Sequence, residues 1–259
     1  MSAAQAGTDF LDDRSALFLD FDGTLVEIAP TPDEVVVEPG LPEILSGVRD
    51  RLAGALAIVT GRPISGIDHF LPELRLDGCG MHGLERRIDG KVSFPQDLPD
   101  LSPLVARLRT RLSAHPGVII EDKRIGVAVH WRTAPDAEGD ARAAIDDLAA
   151  ELGAAYKIQE GKAVREIVPA AAGKGDGIRA MMQSEPYAGR RPVFIGDDKT
   201  DEHGFAAVNA LGGVTVKIGA GDTLARCRLP STAALRDAMA RWLAHDLRAG
   251  PGSVLTTAS

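Results

Sequence analysis

Two short apolar runs, each followed at once by clustered aspartates, constrain this chain more than any other feature. The first run, residues 16–19, precedes Asp20 and Asp22. The second run, residues 192–195, precedes three more aspartates: Asp197, Asp198 and Asp201. Both runs are too short for helices and are typical of buried strands in a parallel sheet. Since open α/β sheets bind ligands at the carboxyl ends of their strands, the pattern predicts a site there.

The number of carboxylates at this predicted sheet edge indicates a metal ion. The two clusters together contain five aspartates, which would repel one another unless a cation lay among them. Oxygen ligands of this kind suit Mg²⁺, which retains some of its waters and binds beside phosphates. Taken alone, Asp20 and Asp22 also fit a solvated turn after a strand, but the second acidic strand end favours the metal site.

Alternating apolar patterns predict the architecture around these two strands. Apolar residues at helical spacing over residues 41–52 follow the first strand, and a strand at residues 55–60 comes next. A helix begins at Pro63, and residues 74–76 lead into a predicted glycine-rich turn. The alternation of helix and strand resumes after Lys174. This pattern predicts an α/β fold, a doubly wound parallel sheet with helices on both faces.

The segment between Thr60 and Lys174 is longer than one crossover connection requires. Its pattern is helix, strand, strand, twice over, which predicts a small antiparallel sheet backed by two helices. We therefore expect a catalytic core at residues 1–98 and 169–259 and an inserted α+β module at residues 99–168.

Side-chain alternation predicts a polar face on this inserted sheet. If residues 124–125 form a two-residue turn, the first hairpin carries four polar side chains on one face: Glu121, Lys123, His130 and Arg132. In the second hairpin, Lys162 and Glu166 share a face. Such a face is either an ordinary solvated surface or a binding surface for a polyhydroxylated ligand, because it both donates and accepts hydrogen bonds.

Composition narrows the classes of partner. The chain has 259 residues, of which 44% are apolar and 25% charged, as in ordinary globular proteins. Its net charge of −8 disfavours a nucleic-acid or polyanion binder. Its start has no basic segment followed by an apolar run, and no apolar stretch approaches ~20 residues. We therefore expect no signal peptide, no membrane span and a cytoplasmic location.

The acidic motifs resemble those of the haloacid dehalogenase superfamily of phosphotransferases. The first motif of that superfamily, Asp-x-Asp-Gly-Thr, matches residues 20–24, and its last, Gly-Asp-Asp-x-x-Asp, matches residues 196–201. Thr60 at the end of its strand and Lys174 before an apolar helix fit the two intermediate motifs. The resemblance implies a Rossmann-type core and an inserted cap that closes over the active site and selects the leaving group.

Further motifs are Gly-Arg at residues 61–62, Gly-x-His-Gly-x-Glu at 80–85, Glu-x-Lys at 121–123, His-x-Arg at 130–132 and Gly-Lys-x-Val-x-Glu at 161–166. With these motifs, residues 16–243 resemble the trehalose-6-phosphate phosphatase family of this superfamily. Thr60 replaces a frequent Ser and keeps the hydroxyl, whereas Val168 replaces a frequent Arg, which weakens a sugar contact at that position. The resemblance implies a substrate-binding role for twelve residues: Gly61, Arg62, His82, Gly83, Glu85, Glu121, Lys123, His130, Arg132, Lys162, Glu166 and Asp201.

The same resemblance implies a reaction, the hydrolysis of trehalose 6-phosphate to trehalose and inorganic phosphate through an aspartyl phosphate. Asp20 would be the nucleophile and Asp22 the general acid and base. Thr60 and Lys174 would hold phosphate oxygens.

The resemblance also implies the ligands of the Mg²⁺ cofactor. The ion would be held by the Asp20 carboxylate, the Asp22 backbone carbonyl and Asp197. Asp198 or Asp201 would support these ligands from behind.

Other functions stay open at this point. A different sugar phosphatase, acting on sucrose phosphate or a phosphoglycerate ester, would share the core motifs. A phosphomutase would return the phosphoryl group to a sugar. A non-enzymatic sensor, or a phosphatase-like domain of a synthase, would be expected to lack a motif aspartate, and none is lost. A self-contained core and cap predict a monomer, and functional coupling to a trehalose-6-phosphate synthase stays open.

Overall fold

The computed structural model describes residues 4–5, 10–29, 34–94, 99–123, 126–161, 163–170 and 172–247. The chain forms two compact units, of which the first combines Met1–Phe94 with Gly173–Ser259 and the second is Pro95–Ala172. The assignment of residues 99–168 as a cap domain stays a prediction.

Strands and helices alternate through most of the described chain. In chain order, the strands are β1 (Ala4–Gln5), β2 (Ser15–Leu19), β3 (Leu56–Val59), β4 (Asp77–Gly80), β5 (Glu85–Ile88), β6 (Lys91–Ser93), β7 (Ile119–Asp122), β8 (Val127–His130), β9 (Tyr156–Gly161), β10 (Val164–Pro169), β11 (Arg191–Gly196), β12 (Val214–Ile218) and β13 (Cys227–Leu229). The helices are α1 (Leu41–Arg51), α2 (Ile64–Phe70), α3 (Ser102–Arg111), α4 (Glu138–Leu152), α5 (Lys174–Met181), α6 (Asp201–Ala210) and α7 (Thr232–Leu247). None of these described helices combines the length and apolar character that crossing a bilayer requires.

The first unit contains a nine-stranded sheet in the order β1-β13-β12-β11-β2-β3-β4-β5-β6. The seven strands from β1 to β4 in this order pair in parallel with one another. Every residue of β2 is buried, as expected of a central strand that is covered on both faces. The predicted doubly wound α/β core is thereby confirmed.

Buried side chains between the sheet and its helices form the core of this unit. Helix α1 packs against α7, and α5 packs against α6. In α1, apolar residues at helical spacing are buried, and a proline lies in the first turn, where its missing N–H costs no hydrogen bond. Aromatic pairs fill the larger gaps: Phe18 stacks on Tyr187 with ring centroids 5.4 Å apart, and Phe194 lies 5.3 Å from Phe205.

The structure differs from the sequence prediction after Leu76. The segment expected to be a glycine-rich turn first forms strand β4, and the turn follows at Met81–Gly83. Gly78 of β4 lies so close to β3 that a Cβ atom there would be 2.9 Å from the Ile58 carbonyl oxygen. The glycines therefore permit close strand pairing in a segment that lacks the apolar pattern of a strand. Strands β5 and β6 extend the sheet in antiparallel fashion.

The second unit contains a four-stranded antiparallel sheet in the order β7-β8-β10-β9. Helix α3 packs on β7, and α4 packs on β8, β9 and β10. Its separate core includes Val127 and Val129 of the sheet together with Leu108 and Ile145 of the helices. The predicted order of helix, strand, strand, repeated once, is confirmed.

Substitution of Gly204 tests how closely helix α6 packs on the sheet. A Cβ atom at Gly204 would lie 2.3 Å from a ring carbon of Phe194 in β11. Alanine usually stabilises an exposed helix by up to about 1 kcal/mol over glycine. We predict that Gly204→Ala instead lowers the free energy of unfolding by about 1–3 kcal/mol, because the methyl group must displace a buried ring. Thermal unfolding followed by circular dichroism measures the change.

Gly66→Ala in α2 is the matched control in the same unit. The nearest atom to a Cβ there is 4.0 Å away, so the substitution has room and should leave Tm unchanged or higher. Equal Tm shifts in the two variants would contradict the packing argument.

Candidate active site

The candidate active site lies at the carboxyl ends of three adjacent strands, β11, β2 and β3. Asp197 follows β11, Asp20 follows β2 and Thr60 follows β3. Backbone hydrogen bonds continue past the strands: the Asp20 N–H donates to Ile195 O at 2.9 Å, and the Thr60 N–H donates to Cys79 O at 2.8 Å. The sheet itself therefore fixes the backbone that carries these side chains.

One buried cation joins two of the aspartates. Lys174, the first residue of α5, places its Nζ 2.7 Å from Asp20 Oδ1 and 2.7 Å from Asp201 Oδ1. All three side chains are buried, so each charge depends on this pairing. Lys174 thereby links the first and last motifs, which lie farthest apart in the sequence.

Burial and neighbouring charges shift the pKa values of Asp20, Asp201 and Lys174 in opposite directions. Burial raises the pKa of Asp20 to about 6 and the pKa of Asp201 to about 7, although Lys174 lowers both. Burial also lowers the pKa of Lys174, but the charges of Asp20 and Asp201 outweigh it and leave the pKa raised. Lys174 is therefore an ammonium at neutral pH and the ion pair persists.

Gly23 and Thr24 complete the turn after β2. The Thr24 hydroxyl donates to Asp20 Oδ2 at 3.1 Å and lies 3.4 Å from Asp197 Oδ1. Gly23 has φ +81°, and a Cβ atom there would lie 2.2 Å from Asp197 Oδ2. Only glycine fits this backbone conformation and close approach. Sequence reasoning quoted Thr24 as part of a motif but assigned it no role.

Three carboxylates of this group fit a metal ion. Asp20, Asp197 and Asp201 each offer one oxygen, and these oxygens lie within 4.8 Å of one another. Burial raises the pKa of Asp197 to about 6, and the charges of Asp201 and Asp198 add to the rise. Three carboxylates that share one ammonium offer oxygen donors and net negative charge, which suit a hard divalent cation. The residues present therefore fit the metal site that the sequence predicts.

The Asp198 carboxylate differs from the other aspartates because it accepts hydrogen bonds from the backbone at the start of α6. Its Oδ1 accepts the N–H groups of Thr200 at 2.8 Å and Asp201 at 3.2 Å, so its carboxylate orders the start of α6. Asp201 Oδ2 in turn accepts the N–H groups of Asp197 and Asp198. A supporting role of Asp198 at the metal stays a prediction.

Asp22 pairs with Arg62. Arg62 Nε lies 2.6 Å from Asp22 Oδ2, and its second terminal nitrogen lies 2.7 Å from Oδ1, a bidentate pair. The guanidinium also lies 5.2 Å from the centroid of the Phe70 ring and 5.8 Å from that of Phe21. Aromatic faces and a carboxylate thus fix Arg62 in one orientation. The Asp22 carboxylate remains partly exposed.

The remaining predicted residues of the first unit gather beside this pair. Thr60 Oγ1 accepts the N–H of Arg62 at 3.1 Å. The His82 ring covers Gly61, because a Cβ atom at Gly61 would lie 2.8 Å from His82 Cε1. A Cβ atom at Gly83 would lie 2.6 Å from the Gly173 carbonyl oxygen.

Glu85 accepts a hydrogen bond from the backbone at the start of α2. It is buried, and its Oε2 accepts the N–H of Ile64 at 2.6 Å. The substrate-binding role that the resemblance implies for Glu85 stays a prediction.

Lys217 was missed by the sequence analysis. It lies buried on β12, and its Nζ donates to the Asp197 carbonyl oxygen at 2.5 Å. The available signal was a lysine inside a short strand of β-branched residues, Val-Thr-Val-Lys-Ile. Lys217 fixes the Asp197 backbone and adds positive charge near the acidic cluster.

The second unit carries a polar face on its sheet. Glu121 lies on the same face as His130, with 3.2 Å between Glu121 Oε2 and His130 Nε2. Lys123 Nζ lies 2.9 Å from Glu166 Oε1 and 3.9 Å from Glu121 Oε2. The hydrogen bond from His130 lowers the pKa of Glu121. The predicted shared face of these residues is confirmed, and their binding role stays a prediction.

Two parts of the predicted polar face lie beyond the end of a strand or outside the described residues. Arg132 is exposed and lies two residues beyond the end of β8. Lys162 and the predicted turn at residues 124–125 lie outside the described residues. Lys123 and Gly126 flank that turn, and the Lys123 N–H donates to Gly126 O at 3.1 Å.

Comparison with solved structures identifies the class of the fold. The chain is similar to a haloacid dehalogenase-like hydrolase from Bacteroides thetaiotaomicron, with a TM-score of 0.64 and 15% identity over 87% of this chain and 98% of that chain. It is also similar to a trehalose-6-phosphate phosphatase related protein, with a TM-score of 0.73 and 28% identity over 90% of this chain and 99% of that chain. The fold is therefore that of the haloacid dehalogenase-like hydrolases.

Sequence relatives identify the family. A probable trehalose-phosphate phosphatase of Sinorhizobium fredii is 42% identical over 92% of this chain and 94% of that protein. A trehalose-6-phosphate phosphatase of Escherichia coli is 42% identical over 86% of this chain and 84% of that protein. The model of the trehalose-phosphatase family matches residues 18–234. The chain belongs to the trehalose-phosphatase family.

The raised pKa of Asp197 predicts that this carboxylate destabilises the folded protein more at high pH than at low pH. Its pKa lies at about 6 in the folded protein against an ordinary 3.8, so its stabilising contribution is present at low pH and is lost as pH rises through about 6. We predict that Asp197→Asn raises Tm relative to wild type increasingly between about pH 4.5 and pH 7.5 in EDTA. Thermal unfolding across this range measures the difference.

Asp222→Asn is the control, because Asp222 is exposed in the same unit. We expect a smaller pH dependence of its Tm difference. A Tm difference for Asp197→Asn that falls with rising pH would have the wrong sign for a raised pKa.

Proposed function

We propose that this chain hydrolyses trehalose 6-phosphate to trehalose and inorganic phosphate. The observation that carries the proposal is the buried Asp20 carboxylate, which Lys174 holds beside the acidic cluster at the end of β2. The chain belongs to the trehalose-phosphatase family, so this nucleophile and this family point to the same ester. No observation favours a sucrose-phosphate phosphatase, a phosphomutase or a sensor over it.

Asp20 is the nucleophile in this proposal. One of its carboxylate oxygens bonds to phosphorus while the bond between phosphorus and the sugar oxygen breaks. The hydrogen bonds from Lys174 and Thr24 fix the carboxylate for attack. Thr60 and Lys174 hold the phosphate oxygens, which become more negative in the transition state.

Asp22 is the general acid and base. It gives its proton to the sugar oxygen as trehalose leaves. It then takes a proton from the water that attacks phosphorus, so the bond to Asp20 breaks and inorganic phosphate departs. The bidentate pair with Arg62 limits the positions that the Asp22 carboxylate adopts.

Mg²⁺ is the proposed metal. The carboxylates of Asp20 and Asp197 and the backbone carbonyl of Asp22 would hold it, with Asp198 or Asp201 in support. The spacing of the carboxylate oxygens supports this assignment. The bound ion supplies positive charge that offsets the repulsion between Asp20 and the phosphate.

The polar face of the second unit is the proposed binding surface for sugar hydroxyls. Glu121 and Glu166 accept hydrogen bonds, and Lys123 donates them. The contacts of Lys123 with both carboxylates hold these groups in place before a ligand binds. Arg132, His130 and Lys162 complete the proposed set.

The setting of the reaction is also a proposal. We infer a cytoplasmic monomer that is functionally coupled to a trehalose-6-phosphate synthase, which makes the ester that this chain cleaves. The net charge of −8 fits a partner that is a small molecule and not a nucleic acid.

Phosphate release from a panel of sugar phosphates tests the proposal. Trehalose 6-phosphate, sucrose 6-phosphate, glucose 6-phosphate and mannose 6-phosphate are compared with Mg²⁺ and with EDTA. We expect a strong preference for trehalose 6-phosphate that EDTA abolishes. Better turnover of another ester would overturn the substrate, and phosphate transfer to a sugar without release would indicate a mutase.

Asp20→Asn tests the nucleophile. The amide cannot form the aspartyl phosphate, so we predict that phosphate release falls to background while the far-ultraviolet circular dichroism spectrum is unchanged. Asp222→Asn, the exposed control, should turn over like wild type. Hydrolysis by Asp20→Asn at the wild-type rate would refute the assignment.

A further inference from the structure

The backbone of residues 81–85 holds the loop that follows β3. The His82 N–H donates to Thr60 O at 3.1 Å, and the Met81 N–H donates to Arg62 O at 2.9 Å. The carbonyl groups on both sides of Gly61 are therefore fixed by one neighbouring segment. Arg62 is itself one of the two anchored points of this loop.

Glu85 adds a third anchor on the far side of Arg62. Its carboxylate Oε2 accepts the N–H of Ile64, the first residue of α2, at 2.6 Å. Glu85 is 9% exposed, so this charge-assisted hydrogen bond is made away from water. A Cβ atom at Gly80 would lie 2.7 Å from Glu85 Oε2, which leaves the carboxylate little freedom to turn.

Residues 81–83 adopt a conformation that only strong surrounding contacts maintain. Met81, His82 and Gly83 have φ values of 49°, 57° and 92°, all in the left-handed region. Such backbone persists where neighbouring structure dictates it, and it clusters at functional sites. Here Gly83 packs tightly on the carbonyl of Gly173, directly before Lys174.

Arg62 connects the anchored loop to Asp22. Arg62 makes its bidentate pair with Asp22 and lies over Phe70, the last residue of the helix whose first N–H Glu85 accepts. The orientation of the guanidinium therefore depends on both ends of α2. A shift of the Ile64 backbone would therefore move Arg62, which holds the Asp22 carboxylate in place.

We propose that Glu85 is a positioning residue that acts through Arg62 on Asp22 and does not bind the sugar. The inference rests on the proposed function, because it needs Asp22 as the general acid and base. It gives Glu85 a role different from the one that the family resemblance implies. Its buried oxygen is bonded to backbone, whereas a sugar ligand needs an accessible acceptor.

Kinetics of Glu85→Ala and Glu85→Gln test the role. Misplacing Asp22 slows the chemical step, so Glu85→Ala should lower kcat for trehalose 6-phosphate by up to about 100-fold and leave KM within about twofold. Glutamine keeps an acceptor oxygen for the Ile64 N–H, so Glu85→Gln should recover most of kcat. A raised KM with unchanged kcat would indicate sugar binding and overturn the proposal.

A double-mutant cycle tests the route through Arg62. If Glu85 acts through Arg62, adding Glu85→Ala to Arg62→Ala should lower kcat by less than about twofold further. Multiplicative losses in the double variant would overturn the proposal, because they would mean that the two residues act independently.

The leaving group provides a readout that a purely structural role would not change. Nitrophenolate departs without a proton, whereas a sugar alkoxide needs one from Asp22. In single turnovers, Glu85→Ala should slow release of trehalose far more than release of p-nitrophenol from p-nitrophenyl phosphate. Equal slowing of both would indicate general destabilisation.

Asp68→Asn is the matched structural control. Asp68 of α2 pairs through both of its carboxylate oxygens with the buried Arg87 of β5, the strand that begins with Glu85. We expect this variant to lower Tm without the change in leaving-group dependence. The same change in Asp68→Asn would show that any loosening of α2 suffices and would overturn the specific role of Glu85.

A spectroscopic test separates this proposal from the proposed function. The ¹⁵N–¹H resonance of Arg62 Nε, assigned by its loss in Arg62→Lys, reports the bond to Asp22 without any substrate. Glu85→Ala should shift or broaden it, and Asp68→Asn should leave it unchanged. An unchanged resonance in Glu85→Ala refutes the positioning role, whereas a wild-type protein inactive on trehalose 6-phosphate refutes only the proposed function.

Discussion

The ammonium of Lys174 is the interaction on which the rest of the site depends. It bonds Asp20 at the end of β2 and Asp201 at the start of α6, and all three groups are buried. Without this cation, two carboxylates would face each other in a medium that screens charge poorly. The packing of α5 against α6 and the strand ends that carry Asp20 and Asp197 are arranged around this one charge.

The aspartates of the site differ because their donors differ. Lys174 and Thr24 hold Asp20, Arg62 holds Asp22, and backbone N–H groups occupy Asp198. Asp20 is thus buried, Asp22 is partly exposed, and Asp198 bonds to the backbone at the start of a helix. Separate environments for like carboxyl groups are the usual means by which one site contains both a nucleophile and an acid.

The sequence predicted the elements whose local pattern is strong. The strands before Asp20 and Asp197 are uninterrupted apolar runs, and the face shared by Glu121 and His130 follows from strand periodicity and a two-residue turn. Strand β4 was missed because its glycines serve contacts with β3 that lie far away in sequence. The anchoring of Glu85 on Ile64 was missed for the same reason, since no local pattern indicates which distant N–H a carboxylate accepts.

The order of the strands also affects how the chain is made. β2 lies between β3 and β11, and β11 follows the entire second unit in sequence. During synthesis, one edge of β2 therefore stays unpaired until the second unit has been translated. Lys174, which pairs with Asp20, is also translated only after the second unit. Strand edges of this kind are where nascent chains pair with one another. The second unit, whose contacts are local, can complete its own sheet during that interval, so the part translated in the middle finishes before the part translated first.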